Sequence, residues 1–205
     1  LLRNPACPRV LQTVRQVRTF FPELDGIGIK VGLTRRAAGL ASRAEPAIWI
    51  NPHRLTRHTI AHELVHLLQF RKLLPLGERS ADLHALARHR VLVDDSPWYL
   101  KVPRSLTTAT GPLSAKVPGL LHGLACEALR RREAGLRTYL QWFETELDRR
   151  WRLVRASSSR PAVPKQAGLF SEPGVATPHP SMDHGRTRKS REGEEPQQAE
   201  GGRCG

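Results

Sequence analysis

Ala47-Ile48-Trp49-Ile50-Asn51-Pro52, followed seven residues later by Thr59-Ile60-Ala61-His62-Glu63-Leu64-Val65-His66, is the stretch from which the rest of the chain can be read. Ala47 to Ile50 is a short apolar run and reads as a strand. Asn51 as a cap and Pro52 at the first helical position predict a helix opening there, passing through Arg57, His62 and His66, and ending near Lys72 ahead of Pro75 and Gly77. Within it His62 and His66 stand one turn apart, so both imidazoles leave the same face about 6 Å apart and can hold one zinc ion, with Glu63 beside the first. Ile60, Ala61, Leu64, Val65 and Leu68 supply the apolar side that buries such a helix against a core. The bland alternative is a pair of histidines on a solvated face with Glu63 as an ordinary surface acid.

A hydrolytic zinc site needs a third protein ligand, a fourth position left to water, and a carboxylate to take a proton from that water. Glu63 is the natural base. Gln69 and Lys72 occupy the positions where a metzincin would carry Gly and His, which excludes that branch. Twelve residues after His66, Glu78-Arg79-Ser80-Ala81-Asp82 opens a further helix. Glu78 and Asp82 are one turn apart on one face, so Glu78 can ligate the metal while Asp82 accepts the ring N–H of a ligand histidine and sets its tautomer. Against this stands Glu78 as an acid favoured by a helix N-terminus, with Asp82 or His84 as the ligand.

H-E-x-x-H followed by E-x-x-A-D on a later helix resembles the gluzincin metallopeptidases, and the short gap between the motifs resembles the minimal gluzincins. The ImmA-like regulatory metallopeptidases are similar too, with a strand, an A-H-E-x-x-H helix and an E-x-x-A helix in that order. The resemblance covers about residues 45 to 90. It implies a small zincin-like α+β domain, a short sheet packed on an active-site helix and a glutamate helix, that hydrolyses peptide bonds in extended or flexible protein segments. Carried over by position, it implies His62, His66 and Glu78 as ligands of one Zn2+ per chain, Glu63 as catalytic base and Asp82 behind the ligands. It further implies that Ala47, Ile48, Trp49, Ile50 and Asn51 form the upper edge strand, along which a peptide substrate pairs by backbone hydrogen bonds. The resemblance assigns no oxyanion stabiliser. Tyr99 is the first candidate and His122 the next, with simple packing of Tyr99 beside Trp98 as the alternative. Asp94 and Asp95 invite a second-metal reading, but helix capping accounts for them more simply.

Elsewhere, Val10, Leu11, Val14, Val17 and Phe21 make one apolar stripe and predict a helix from Pro8 to about Leu24. Ile27, Ile29 and Val31 alternate and predict a strand from Gly26 to Leu33. The glutamate helix is expected to reach about Val91, and Asp95-Ser96-Pro97 to cap a short turn. From Leu120 to Val154 the positions Leu121, Leu124, Ala128, Leu136, Leu140, Phe143, Leu147, Trp151 and Val154 hold helical spacing. Unbroken, that helix would be about 50 Å long, so either Gly135 breaks it into a pair or one end projects. After Arg155 the composition turns to Ser, Pro, Gly, Gln and Glu, which predicts a disordered tail. The expected organisation is a zincin-like domain over 1–116, a long amphipathic helical extension over 117–155 and a low-complexity tail over 156–205. No internal repeat is visible.

Composition narrows the classes of function. The 205 residues suit one domain with an appendage. No stretch approaches 18 consecutive apolar residues and the first residues lack a signal-peptide core, which predicts a cytoplasmic protein with no membrane partner. Cys7, Cys126 and Cys204 are scattered and read as free thiols. Of the net charge of +14, residues 1–155 carry +13, from 26 Lys+Arg against 13 Asp+Glu. Such a field favours anionic partners, nucleic acid among them, although an Arg-rich, Ala-rich chain also follows from a GC-rich genome. The rival function is therefore a basic nucleic-acid-associated protein with a structural or inactive zinc site. An open two-His, one-Glu shell speaks for catalysis, since structural zinc is normally closed by four protein ligands. The long amphipathic helix could also dock a partner, a second copy or the cleft, against packing on its own core; the oligomeric state is left open.

Overall fold

The computed structural model describes residues 5–106, 113 and 116–158. The first helix, α1 (Cys7–Arg18), forms where valines repeat at three- and four-residue steps, and Val10, Val14 and Val17 are buried. It stops short of Leu24 because the chain turns at Thr19 to Phe21, and Pro22, with no N–H to give, starts a separate 3₁₀ turn over Pro22–Leu24. Arg18 closes this corner by donating to the carbonyls of Leu24 and Ile27 at 2.7 and 2.9 Å. The strand expected from Gly26 is accordingly shorter, β1 (Lys30–Leu33).

Two further strands follow, β2 (Gly39–Ala41) and β3 (Ala47–Ile50), and the sheet order is β1-β3-β2. β3 runs parallel to β1, with Val31 opposite Ile48 and Gly32 opposite Trp49, and antiparallel to β2, with Gly39 opposite Ile50. This corrects the expectation that Ala47 to Asn51 is an edge strand. The backbone of β3 is partnered on both sides, by β1 and by β2. The sheet's edges are β1 and β2. The sequence carries no clear sign of β2, which is three residues long and has no alternation to detect.

The helix expected from Pro52 to Lys72 is two elements. Asn51 does cap, accepting from the His53 amide at 3.0 Å, but it caps a single 3₁₀ turn, Pro52–Arg54. Leu55 and Thr56 are then extended, and α2 (Arg57–Phe70) starts afresh with Thr56 as its cap. Its first turn is satisfied from two sources: Thr56 Oγ1 accepts from Thr59, and Asp94 accepts from the Arg57 and His58 amides at 2.8 and 3.0 Å. Asp94 thus caps, as the sequence suggested, but it caps a helix 36 residues upstream. Eleven of the 14 residues of α2 are buried, which makes it the central helix. It packs against α1, β2 and β3.

α3 (Glu78–Arg88) follows a turn in which Gly77 adopts φ 113°, open essentially to glycine alone. It ends before the expected Val91, and Arg90–Leu92 form a separate 3₁₀ turn. The segment foreseen as a long helix or a helix pair is a pair, α4 (Lys116–Glu133) and α5 (Tyr139–Ser158). Gly135, at φ 97°, makes the break, and the Leu136 amide reaches back to the Arg131 carbonyl at 2.8 Å in a Schellman arrangement.

Two apolar clusters result. α1, the sheet, α2 and one side of α3 share the first, with Ile48, Ile50, Ile60, Leu64 and Leu68 fully buried. Leu83 and Leu86 of α3 join Leu121, Leu124, Phe143 and Leu147 of α4 and α5 in the second. Leu1–Ser159 forms one compact unit. Among the described residues no helix is long and apolar enough to cross a membrane. The expected tail lies, from residue 159 on, outside the described residues, as does Cys204.

His84 is buried in α3, its Nδ1–H donating to the Ser80 carbonyl at 2.8 Å. Burial, with Arg132 and Arg88 nearby, pushes its pKa from 6.5 down to about 4. The unfolded chain therefore binds a proton that the native chain refuses between those values, so stability is complete above pH 6.5 and falls as pH drops toward 4, by about 3 kcal/mol in full. Urea unfolding at pH 7 and pH 4.5, with chelator present, is expected to show a pH difference about 2 kcal/mol smaller in His84→Phe than in wild type. Equal pH dependence in both would refute this assignment.

Candidate metal centre

α2 presents His62 and His66 from successive turns, and α3 presents Glu78 from its first residue. Three ligand atoms converge: His62 Nε2 and His66 Nε2 lie 3.0 Å apart, and Glu78 Oε2 lies 3.0 Å from the first and 3.1 Å from the second. This trio could hold a metal ion, and it is the one such group among the described residues. His62 and His66 are largely buried whereas the Glu78 side chain is half exposed, so the cluster opens to solvent on the glutamate side.

The partners behind the ligands decide which way their lone pairs face. His62 Nδ1 lies 2.8 Å from Asp82 Oδ1; a carboxylate only accepts, so Nδ1 carries a proton and, in the neutral ring, Nε2 is left with a lone pair. His66 Nδ1 lies 2.8 Å from Gln69 Oε1. The Gln69 amide nitrogen donates to the carbonyls of Pro75 and Gly77 at 2.6 and 3.1 Å, which orients Oε1 toward His66 and leaves His66 Nε2 bare as well. Two imidazole lone pairs and a carboxylate oxygen therefore face one point, an arrangement that only a cation or a proton relieves. Asp82 thus lies against a ring N–H of His62. His84, the rival ligand, is turned to Ser80 and is not part of the group.

Asp82 is the hub. Besides His62 it meets His58 Nε2 at 3.3 Å through the same Oδ1, and its Oδ2 accepts from the Tyr99 amide at 2.7 Å. Burial alone would raise its carboxyl, but the hydrogen bonds from His58 and His62 hold it far below the usual carboxylate range. For His62 burial works to lower the pKa, and Asp82 with Glu63 and Glu78 outweighs it, for a net rise.

Glu63 is buried beside this cluster, and burial, with the charges of Glu78 and Asp82, pushes its carboxyl up to about 7 against the opposing pull of His62. It lies directly under β2: a Cβ at Gly39 would fall 2.5 Å from Glu63 Oε1 and 2.6 Å from its Cγ. Only glycine leaves room for the carboxylate there. Gly39→Ala is expected to displace Glu63 by some tenths of an ångström or push β2 off the helix. If Glu63 is the catalytic base, turnover then drops by up to about 10²-fold while metal content stays at the wild-type value. A variant with wild-type turnover would show that the carboxylate can move without consequence.

Tyr99 is brought to the site. Its ring stacks on His62 with centroids 5.5 Å apart and planes at 21°. Burial and the carboxylates of Glu78, Asp82 and Glu63 raise its phenol above the ordinary value, which keeps it a proton donor. Trp98, by contrast, is exposed under the guanidinium of Arg54. His122 is not brought to the site: its Nδ1 donates to the Leu86 carbonyl, two turns along α3 from Glu78. Asp95 accepts from the Ser96 amide in a local turn, and no helix starts among residues 96–106.

Sequence reasoning missed three residues here and the target of a fourth. Gly39 left no local signal, since it acts across a long separation, and for Asp94 the sequence suggested capping but not which helix it caps. Gln69 was read only as the absence of a metzincin glycine. His58 did have a signal, because His58, His62 and His66 form one i, i+4 row on α2.

Comparison of the chain with protein-family models, with curated proteins and with solved structures finds no match.

Proposed function

We propose that the protein is a zinc-dependent peptidase of the gluzincin kind, cleaving peptide bonds in extended or flexible protein segments. The observation that carries this reading is the open trio of His62, His66 and Glu78, wired from behind by Asp82 and Gln69, with the buried carboxylate of Glu63 beside it. Two nitrogens and one oxygen suit zinc, and tetrahedral zinc with bonds of about 2.0–2.1 Å needs donors about 3.3 Å apart, close to the separations here. When bound, zinc acidifies a water and polarises a carbonyl. Glu63 would serve as the base that accepts a proton from the attacking water and returns it to the departing amine. The Tyr99 ring stacks on His62 and its phenol is held protonated, which supports Tyr99 as the donor to the developing oxyanion. The open edge of β2, directly above Glu63, replaces β3 as the strand on which an extended peptide would pair.

The test is direct. Protein purified without a metal-affinity step is assayed for metal by plasma mass spectrometry and incubated with an unfolded protein substrate, with and without chelator. About one zinc per chain and cleavage abolished by the chelator are expected. Absence of bound zinc after zinc is supplied would end this reading.

A further inference from the structure

His58 poses a question that packing does not answer. It lies one turn before His62 on α2, 2% exposed, with Nε2 3.3 Å from Asp82 Oδ1. Its Nδ1 is the one buried side-chain polar atom among the described residues without a hydrogen-bond partner. A buried nitrogen left unpaired is a cost to the fold, and an apolar side chain of similar size would fill the space without that cost. What favours imidazole here must come from the other nitrogen. Since a carboxylate only accepts, Nε2 carries the proton and donates to Asp82, through the same oxygen that takes the His62 Nδ1–H.

Asp82 is thus gripped from three directions, by His58, by His62 and by the Tyr99 amide. The terminal torsion of an aspartate is soft, so each grip removes freedom that the other two leave. The His58 grip comes from the same helix as both histidine ligands. Its own backbone is pinned, with the His58 amide held by Asp94 at 3.0 Å.

We infer that His58 is a positioning residue for the metal centre: it anchors Asp82 so that Asp82 holds His62 with its Nε2 lone pair toward the ion. The inference rests on reading the trio as a metal site. Removing partners of this outer kind lowers metal affinity by about 10–100-fold. His58 acts through one bond more, which places its effect at the lower end.

The experiment is a zinc titration of the full chain in competition with a chromophoric chelator, for wild type, His58→Leu and His58→Gln, with melting of each metal-free protein alongside. His58→Leu is expected to bind zinc about tenfold more weakly while its metal-free melting temperature holds or rises, because the unpaired nitrogen is gone. His58→Gln, which keeps a donor toward Asp82, is expected to recover most of the affinity. Cobalt in place of zinc should show a perturbed ligand-field spectrum in His58→Leu and a near wild-type one in His58→Gln. Equal zinc affinity in wild type and His58→Leu overturns the inference, and so does a loss that His58→Gln does not restore. Should His58→Leu fail to fold, His58→Phe takes its place, and failure of both overturns the inference by marking His58 as a core residue. Wild-type protein that binds no zinc overturns this inference and the peptidase reading together, whereas the other failures leave that reading standing.

Discussion

Glu63→Gln is expected to bind zinc as wild type does and to lose about 10²–10⁴-fold in kcat with little change in KM. The substitution keeps the shape of the side chain and removes its ability to accept a proton. Glu63 is buried, and the contacts that bring the three ligand atoms together are made without it, so zinc binding is expected to survive the substitution. Its carboxyl, pushed up to about 7 by burial, has the proton affinity of a base that works near neutral pH. The amide that replaces the carboxylate would also fit under Gly39 with no added bulk. Turnover within a factor of about three of wild type would rule out Glu63 as the base. Parallel loss of turnover and of zinc would instead show that Glu63 supports the site structurally.

Removal of Glu78 is expected to have the second large effect, on the metal itself. In Glu78→Ala the two Nε2 lone pairs remain 3.0 Å apart, but the anionic oxygen that completes the trio is gone. Zinc content should fall from about one per chain to near zero after dialysis, and activity with it. Glu78 is exposed and begins α3, so its loss costs the metal-free fold only the helix-dipole term and its contacts to His62 and His66, about 1–2 kcal/mol together. The two effects separate in a melting experiment. With zinc at a thousandfold excess over its Kd, wild type gains about 4 kcal/mol of stability and Glu78→Ala gains almost none. A variant that keeps its zinc and its zinc-dependent stabilisation would show that another residue is the third ligand.

Much of this centre is legible from spacing alone. His62 with His66, and Glu78 with Asp82, are i, i+4 pairs, and a helix once formed puts such pairs on one face whatever surrounds it. The break at Gly135 was open between two outcomes, and the Schellman contacts decide it in favour of a helix pair. The start of α2 was misplaced for an instructive reason. Asn51-Pro52 is a genuine opening signal, and it opens a turn of only three residues, because Thr56 and Asp94 together offer a better cap five residues further on. Half of that cap comes from a part of the chain that a local reading cannot weigh.

The strand beside the centre shows the same division. Ala47 to Ile50 reads as a strand from its own composition, but whether it is an edge or a centre depends on what pairs with it, and β2 leaves almost no trace in the sequence. What the sequence by itself determined is the set of residues that share a helix face, His62 with His66 and Glu78 with Asp82, because helix periodicity is set by hydrogen bonds four residues apart. What only the tertiary structure decided is a set of contacts made across 17 to 37 residues: Asp94 on the start of α2, His58 and Tyr99 on Asp82. Gly39 over Glu63 belongs with them. Those contacts depend on how two burying surfaces meet, and side-chain packing across elements carries no period that a linear pattern can display.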